Sequence, residues 1–293
     1  MELRHIRYFL AVAEEGNFTR AARRIGIGQP PLSQQIRDLE DEVGVALFRR
    51  VPHGAELTDA GRAFLASVRH IPEQAGAATV AAQRAARGET GSVRIGFTGS
   101  AAFNHRVPAS IRTFRRQHPD VVLALEEANS NLLATALREG RLDAVFLRPE
   151  AIDRSDLDIH VLEKEPLIAA LASSRMPNED GIQLASLAED LFIVTPKPLG
   201  PTIFDATIQA CRNAGFEPKL GQSAPQIASV IALVAAEMGV ALVPAAMSEV
   251  TVKGVNYHAI VDDLPSVELA IAVRRGERSA AVLAFLKQAR SVN

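Results

Sequence analysis

The stretch GIGQPPLSQQIRDLEDEVG, residues 26–44, sets two prolines directly ahead of an otherwise regular amphipathic pattern. Leu32, Ile36, Leu39 and Val43 recur at three- and four-residue spacing, which lines one face of a helix with apolar groups. Pro30 and Pro31 fall in its first turn, where backbone N–H groups have no intrahelical partner, so they start the helix and do not break it. The other face collects Gln29, Pro30, Ser33, Gln34 and Arg37 at the positive helix end. Short or bidentate hydrogen-bonding groups there suit phosphates and the base edges of a major groove, with Arg reading guanine and Gln adenine. On an isolated helix the same residues would be an ordinary solvated face.

The flanks favour nucleic acid. Upstream, Leu3, Ile6, Leu10 and Ala13 describe a short helix stopped by Gly16. Asn17 or Thr19 then caps a second helix through RAARRIG, with small Ala21 and Ala22 in its middle and Gly26 just past its end. Downstream, LFRRVPHGAELT predicts strand, turn and strand, with Pro52, His53 and Gly54 at the tip and Arg49 and Arg50 on the approach. Between Asn17 and Arg37 stand Arg20, Arg23, Arg24 and Arg37 and no acid, while Asp38, Glu40, Asp41 and Glu42 follow at once. The sum is a helix-turn-helix with a wing.

From Thr58, a helix cap, to Arg87 runs one long helical segment with Phe64, Leu65, Val68, Ile71, Ala75, Ala78, Ala82 and Ala85 on a stripe. A small winged domain offers such a stripe little to bury against, so a second copy of the chain is its expected partner. Pro72 predicts a kink or break near it, because its ring clashes with the carbonyl of Val68.

RGETGSVRIGFTGS changes the pattern to alternating strands and helices. Strands are expected at VRIGFT, VVLALEE, LDAVFL, LIAALA, LFIVT, PKLGQ and VALVP, with helices such as 103–117 and 202–214 between them. Such alternation predicts an α/β fold with buried parallel sheets. Open sheets of this kind bind ligands at the carboxyl ends of their strands. Ser100 follows the first strand, Ser130 the second and Arg148 the third, while Pro201 and Thr202 open a later helix. Hydroxyls at helix starts plus an arginine make a receptor for a carboxylate. Alternatively Ser100 and Ser130 merely cap helices, and Arg148 pairs with Glu150 or Asp143.

Composition bounds the rest. A chain of 293 residues, 47% apolar and 23% charged, folds around substantial cores, and its net charge of −2 leaves any nucleic-acid argument to local charge. One cysteine, Cys211, no apolar run long enough to span a bilayer and no signal-like N-terminus point to a reducing cytoplasm and to no membrane partner. GIG at 26–28 precedes two prolines instead of a third glycine, and no G-x-S-x-G, H-E-x-x-H or P-loop occurs. The histidines at 5, 53, 70, 105, 118, 160 and 258 never pair at ligand spacing. Neither an enzyme, a metal nor a cofactor is expected, and Cys211 is expected to be a buried bystander, not a redox switch.

RHIRYFLAVAEEGNFTRAARRIGIGQPPLSQQIRDLEDEVGVALFRR and LTDAGRAFL, together some sixty residues, resemble the winged helix-turn-helix of LysR-type transcriptional regulators. Gly28 departs from the pattern, which usually has serine before the Gln-Pro pair. MGVALVPAAM in the α/β part also matches the family. The resemblance implies a DNA-binding domain over residues 1–58, a dimerising linker helix over 59–87 and a two-lobed, periplasmic-binding-protein-like effector domain over 88–293. Lobe I would take about 92–162 and 262–293, and lobe II about 163–261. Contacts to double-stranded promoter DNA would come from Thr19, Arg20, Gln29, Pro30, Pro31, Ser33, Gln34 and Arg37, with Arg49, Arg50 and His53 from the wing. Within the family the chain most resembles regulators of benzoate, catechol and chlorocatechol breakdown, which implies a muconate-like or aromatic acid at Ser100, Ser130, Arg148, Pro201 and Thr202. A homodimeric or homotetrameric activator contacting RNA polymerase is the implied assembly. An amino acid or inorganic anion is the alternative ligand, and a small-molecule enzyme on the α/β lobes the alternative from another class.

Overall fold

The computed structural model describes residues 1–52, 54–175 and 181–292. The chain divides into two compact units, Met1–Arg84 and Ala85–Asn293.

The first unit begins with α1 (Leu3–Glu15), α2 (Phe18–Ile25) and α3 (Gln29–Val43). Gly16 ends α1 in the left-handed region at φ +56°, a conformation that costs glycine little. Asn17, not Thr19, caps α2: its side chain accepts from the backbone N–H of Thr19 at 2.9 Å and of Arg20 at 3.0 Å. The two prolines stand in the first turn of α3 as expected. A hairpin of β1 (Phe48–Val51) and β2 (Gly54–Leu57) forms the wing, with Arg49 opposite Glu56. The core joins Phe9, Leu32, Ile36 and Leu39, all fully buried. Phe9 meets the Phe48 ring at 5.1 Å and the Phe64 ring edge-on at 4.9 Å. Val43, expected on that face, is 38% exposed because it lies at the last residue of the helix, beyond the core.

Two helices follow, α4 (Asp59–Val68) and α5 (Ile71–Ala86). The interruption at residues 69–70 lies just before Pro72, which stands in the first turn of α5. A proline there needs no amide bond, whereas a continuous helix would drive its ring against Val68. The apolar stripe is not unpartnered as expected. Val68 is buried in the winged core, and Phe64, Leu65 and Ile71 pack against it. Only α5 has no buried residue among the described residues.

In the second unit, β3 (Gly91–Phe97), α6 (Gly99–Ala102), α7 (Arg106–Gln117), β4 (Val121–Glu127), α8 (Ser130–Arg138), β5 (Ala144–Leu147) and β6 (Leu157–Glu165) build one subdomain. The chain then crosses, through Pro166 alone, to β7 (Leu167–Ala172), β8 (Leu191–Val194), α9 (Pro201–Asn213), β9 (Lys219–Ser223), α10 (Ile227–Ala235), β10 (Ala241–Pro244) and β11 (Val255–His258). It returns in β12 (Val267–Arg274) and ends with α11 (Ala280–Ser291). The first sheet runs β4-β3-β5-β12-β6. Its β3 is parallel to β4 and β5, but β12 is antiparallel to both β5 and β6. The second subdomain has antiparallel β10-β7-β11 and a parallel β8-β9 pair. The sheets are therefore mixed, not parallel throughout, because the returning strand β12 comes back from the other subdomain and is not delivered by a helical crossover. Phe114, Phe146 and Phe285 meet edge to face in the first core.

One polar cluster ties that sheet together. Asp143 accepts from the backbone N–H, Nε and Nη2 of Arg94 at 2.9, 2.9 and 2.7 Å, and from Arg274 Nη2 at 3.3 Å. Burial alone would raise the carboxyl, but these bonds hold it below its ordinary value. Since the folded carboxyl is the stronger acid, its stabilisation is full above the unfolded value near about pH 4 and is lost as pH falls through the lower folded value. Asp143→Asn is expected to cost about 2 kcal/mol at neutral pH and to flatten the loss of stability below about pH 4. Thermal midpoints across that range check it, and parallel curves for the two proteins would refute it.

Candidate nucleic-acid interface and ligand cleft

Helix α3 carries its polar residues as a connected set. Gln34, Arg37, Pro30 and Pro31 are exposed. Arg37 Nη2 donates to Gln34 Oε1 at 2.7 Å, and Gln34 Nε2 donates to Asp38 Oδ1 at 2.7 Å. Ser33 departs from expectation: it is buried and accepts a bond from Gln29 Nε2 at 2.7 Å. Its position, one residue after Leu32 and three before Ile36, turns it toward the core, so it orients Gln29 and does not face outward. Thr19 and Arg20 are exposed at the start of α2, and Arg20 Nη2 donates to the Glu15 carbonyl. On the wing, Arg49 is bound through Nε and Nη2 to Glu56. Arg50 instead lies over the Phe18 ring at 5.7 Å, an exposed cation held by an aromatic face. The Glu56 pairing was not expected; it follows from the antiparallel register of the hairpin, which sets Arg49 directly opposite Glu56. His53 lies outside the described residues.

The five α/β residues line one solvent-open cleft between the two subdomains of the second unit. Ser100 is buried in α6, Ser130 is the first residue of α8, and Pro201 and Thr202 begin α9. Gln226 and Ile227 at the start of α10 complete the wall, with Thr98, Asn129 and Thr195 beside them. Three helices of nine or more residues thus begin at the cleft, which sets the positive ends of their dipoles on its wall. Thr195 and Gln226 were missed, although each follows a strand, β8 and β9, and the rule that singled out Ser100 applies to them equally.

The hydrogen bonds alter two assignments. Asn129, not Ser130, caps α8, accepting from Leu132 N–H at 3.0 Å. Ser130 Oγ instead accepts from the backbone N–H of Arg148 at 3.2 Å. Nor does Arg148 pair with Asp143, which Arg94 holds, or with Glu150, which accepts from Glu268 N–H at 2.6 Å. Its Nη1 donates to Glu165 Oε2, and the two side chains are each 3% exposed. Arg148 Nε and Nη2, and Glu165 Oε1, have no partner among the described residues. Nε and Nη2 form the side of the guanidinium that grips a carboxylate with two bonds. A buried donor pair left open this way carries a desolvation cost that a ligand or water removes.

Two further features limit the chemistry. Among the described residues no group of acids, histidines or cysteines could hold a metal, and no helix is long and apolar enough to cross a membrane. Cys211 is fully buried in the second subdomain's core, and burial, with the nearby charge of Glu217, pushes its thiol up to about 12.

Residues 3–62 match the family described as bacterial regulatory helix-turn-helix proteins of the lysR family, and residues 86–293 match the LysR substrate binding domain. The chain belongs to the LysR family of transcription regulators. As a LysR-family protein it binds DNA and regulates transcription, and it is not an enzyme. It is 38% identical to the HTH-type transcriptional regulator BudR of Raoultella terrigena, over 98% of this chain and 99% of that one. It is 37% identical to the HTH-type transcriptional regulator AlsR of Bacillus subtilis, over 98% of this chain and 94% of that one. Full-length CbnR, solved in complex with its target DNA, superposes with a TM-score of 0.86 at 27% identity and 99% coverage of both chains.

Proposed function

We propose that this LysR-family regulator reads promoter DNA with α3 and the wing, and that a small carboxylate held by Arg148 in the cleft controls its output. The observation that supports the ligand is the buried, unpartnered Nε and Nη2 pair of Arg148, a residue of the cleft wall that two serines and the starts of three helices also line. Gln29, Gln34 and Arg37 supply the bidentate groups for base edges, and Arg50 a phosphate contact. Activation, contact with RNA polymerase and assembly as a homodimer or homotetramer through the unburied face of α5 complete the proposal, on the resemblance to the family's activators. With BudR and AlsR at 38% and 37% identity, the likeness does not single out the regulators of aromatic breakdown. The proposal therefore keeps the shared chemistry, a carboxylate, with benzoate as its probe.

Two measurements test it. Arg37→Ala is expected to weaken binding to the cognate operator by about 1 to 3 kcal/mol while binding to unrelated DNA stays nearly unchanged. Equal operator affinity in a mobility-shift titration would remove α3 from recognition. Calorimetric titration of the full chain is expected to register benzoate and not benzamide, which has the same shape without the charge. Binding of benzamide alone would overturn the carboxylate.

A further inference from the structure

We propose that Glu165 determines which carboxylates the cleft accepts, admitting one negative charge and turning away a second. This rests on the cleft being a carboxylate site. Glu165 is as deeply buried as Arg148 and grips only Nη1, the far end of the guanidinium. The side edge, Nε and Nη2, is buried and has no partner among the described residues. Arg94, on the same sheet, shows what that edge does when occupied, with Nε and Nη2 at 2.9 and 2.7 Å from the two oxygens of Asp143. A carboxylate admitted to that edge would be held in the same geometry.

No second cation awaits another. Arg148 is the sole charged residue lining the cleft among the described residues, and Glu165 already cancels its charge. The first carboxylate therefore leaves the site with a net negative charge. A second would meet hydroxyls, amides and helix starts, but also the repulsion of Glu165 across a low-dielectric interior, where charges are weakly screened. A further acid stands at the edge: a β carbon on Gly99 would lie 2.8 Å from Glu127 Oε1, so the Glu127 carboxylate rests against a residue of the cleft wall. Selection against the wrong ligand by a like charge is a recurrent source of specificity. Glu165 also ends β6 immediately before Pro166 carries the chain into the other subdomain, so the group that counts charge sits at the crossing.

The test is calorimetry of the full chain with terephthalate and its monomethyl ester, which match in size and differ by one charge. The wild type is expected to bind the monoester about tenfold more tightly. Glu165→Gln, equal in shape and without the charge, is expected to bring the two affinities within about twofold of each other, mainly by strengthening terephthalate. An unchanged ratio in Glu165→Gln overturns the proposal. Should that variant fold poorly, the wild type still decides, because terephthalate binding as tightly as the monoester overturns it equally. Failure of both probes also overturns it, and benzoate titrated alongside then shows whether the carboxylate site itself survives.

Discussion

Arg148→Met is expected to lower the affinity for benzoate by at least about thirtyfold, the effect of removing a buried, doubly hydrogen-bonded charge from its partner, worth roughly 2 to 5 kcal/mol. Methionine keeps the unbranched apolar stem and lacks the guanidinium, so the unpartnered Nε and Nη2 edge is lost. A second effect accompanies the first. Glu165, 3% exposed, is left as an uncompensated buried charge, which destabilises by about 3 to 5 kcal/mol. Arg148→Met with Glu165→Gln separates the two, since a neutral pair restores much of the stability and none of the binding. Thermal melting should therefore rank the single variant below the double variant, and the double below or near wild type, while calorimetry finds no benzoate binding in either. Benzoate binding by the double variant at wild-type strength would take Arg148 out of the site. Operator binding by the double variant without ligand should persist, because α3 and the wing belong to the other unit.

Gly61→Ala is the larger threat to the winged domain. Gly61 lies in α4 where a β carbon would come 2.0 Å from the carbonyl oxygen of Leu47 and 3.0 Å from Leu57 Cδ2. A carbonyl cannot rotate away as a side-chain tip can. The same few residues hold Thr58, whose Oγ1 accepts from Gly61 N–H at 2.9 Å and donates to the Ala46 carbonyl at 2.8 Å. Relieving the clash means lifting α4 from the strand and with it Phe64 from Phe9. The expected loss is about 3 kcal/mol, at the upper end for overpacking a close contact, even though alanine is the better helix former. Urea unfolding followed by circular dichroism should show an early winged-domain transition, accompanied by loss of operator binding. A transition at the wild-type midpoint would show that α4 can shift cheaply.

What could be read from the residues alone depended on how local the cause was. The prolines of α3, the caps of α1 and α2, the hairpin and the interruption before Pro72 follow from one or two neighbouring residues, and all appear. Ser33 shows the limit within a helix: the apolar face is wider than the stripe of Leu32, Ile36 and Leu39, and a serine on its margin is drawn inside once Gln29 bonds it. The stripe through Val68 implies a partner copy when the winged domain is judged by its length, whereas Ala60, Phe64, Leu65 and Val68 of α4 all join the winged core. In the α/β unit β6 escaped notice, since LDIHVLEKE mixes charged and apolar residues as an edge strand does, and β12 was overlooked with it. Those two strands are what make the sheet mixed. They also bring Glu165 beside Arg148, 17 residues away, a pairing set by sheet register that no spacing along the chain announces.

Cys211 is the one cysteine of the chain, sealed in a core with its thiol pushed up to about 12. At neutral pH almost none of it is thiolate, so it offers oxidants and electrophiles nothing to attack. A regulator without a reactive sulfur keeps no thiol record of having been stimulated. Were the proposed carboxylate its input, the protein would forget at the rate the occupant departs, and its activity at any moment would track the present concentration and not the past one. On that proposal it would be a gauge, where a sensor built on a reactive cysteine would be a latch.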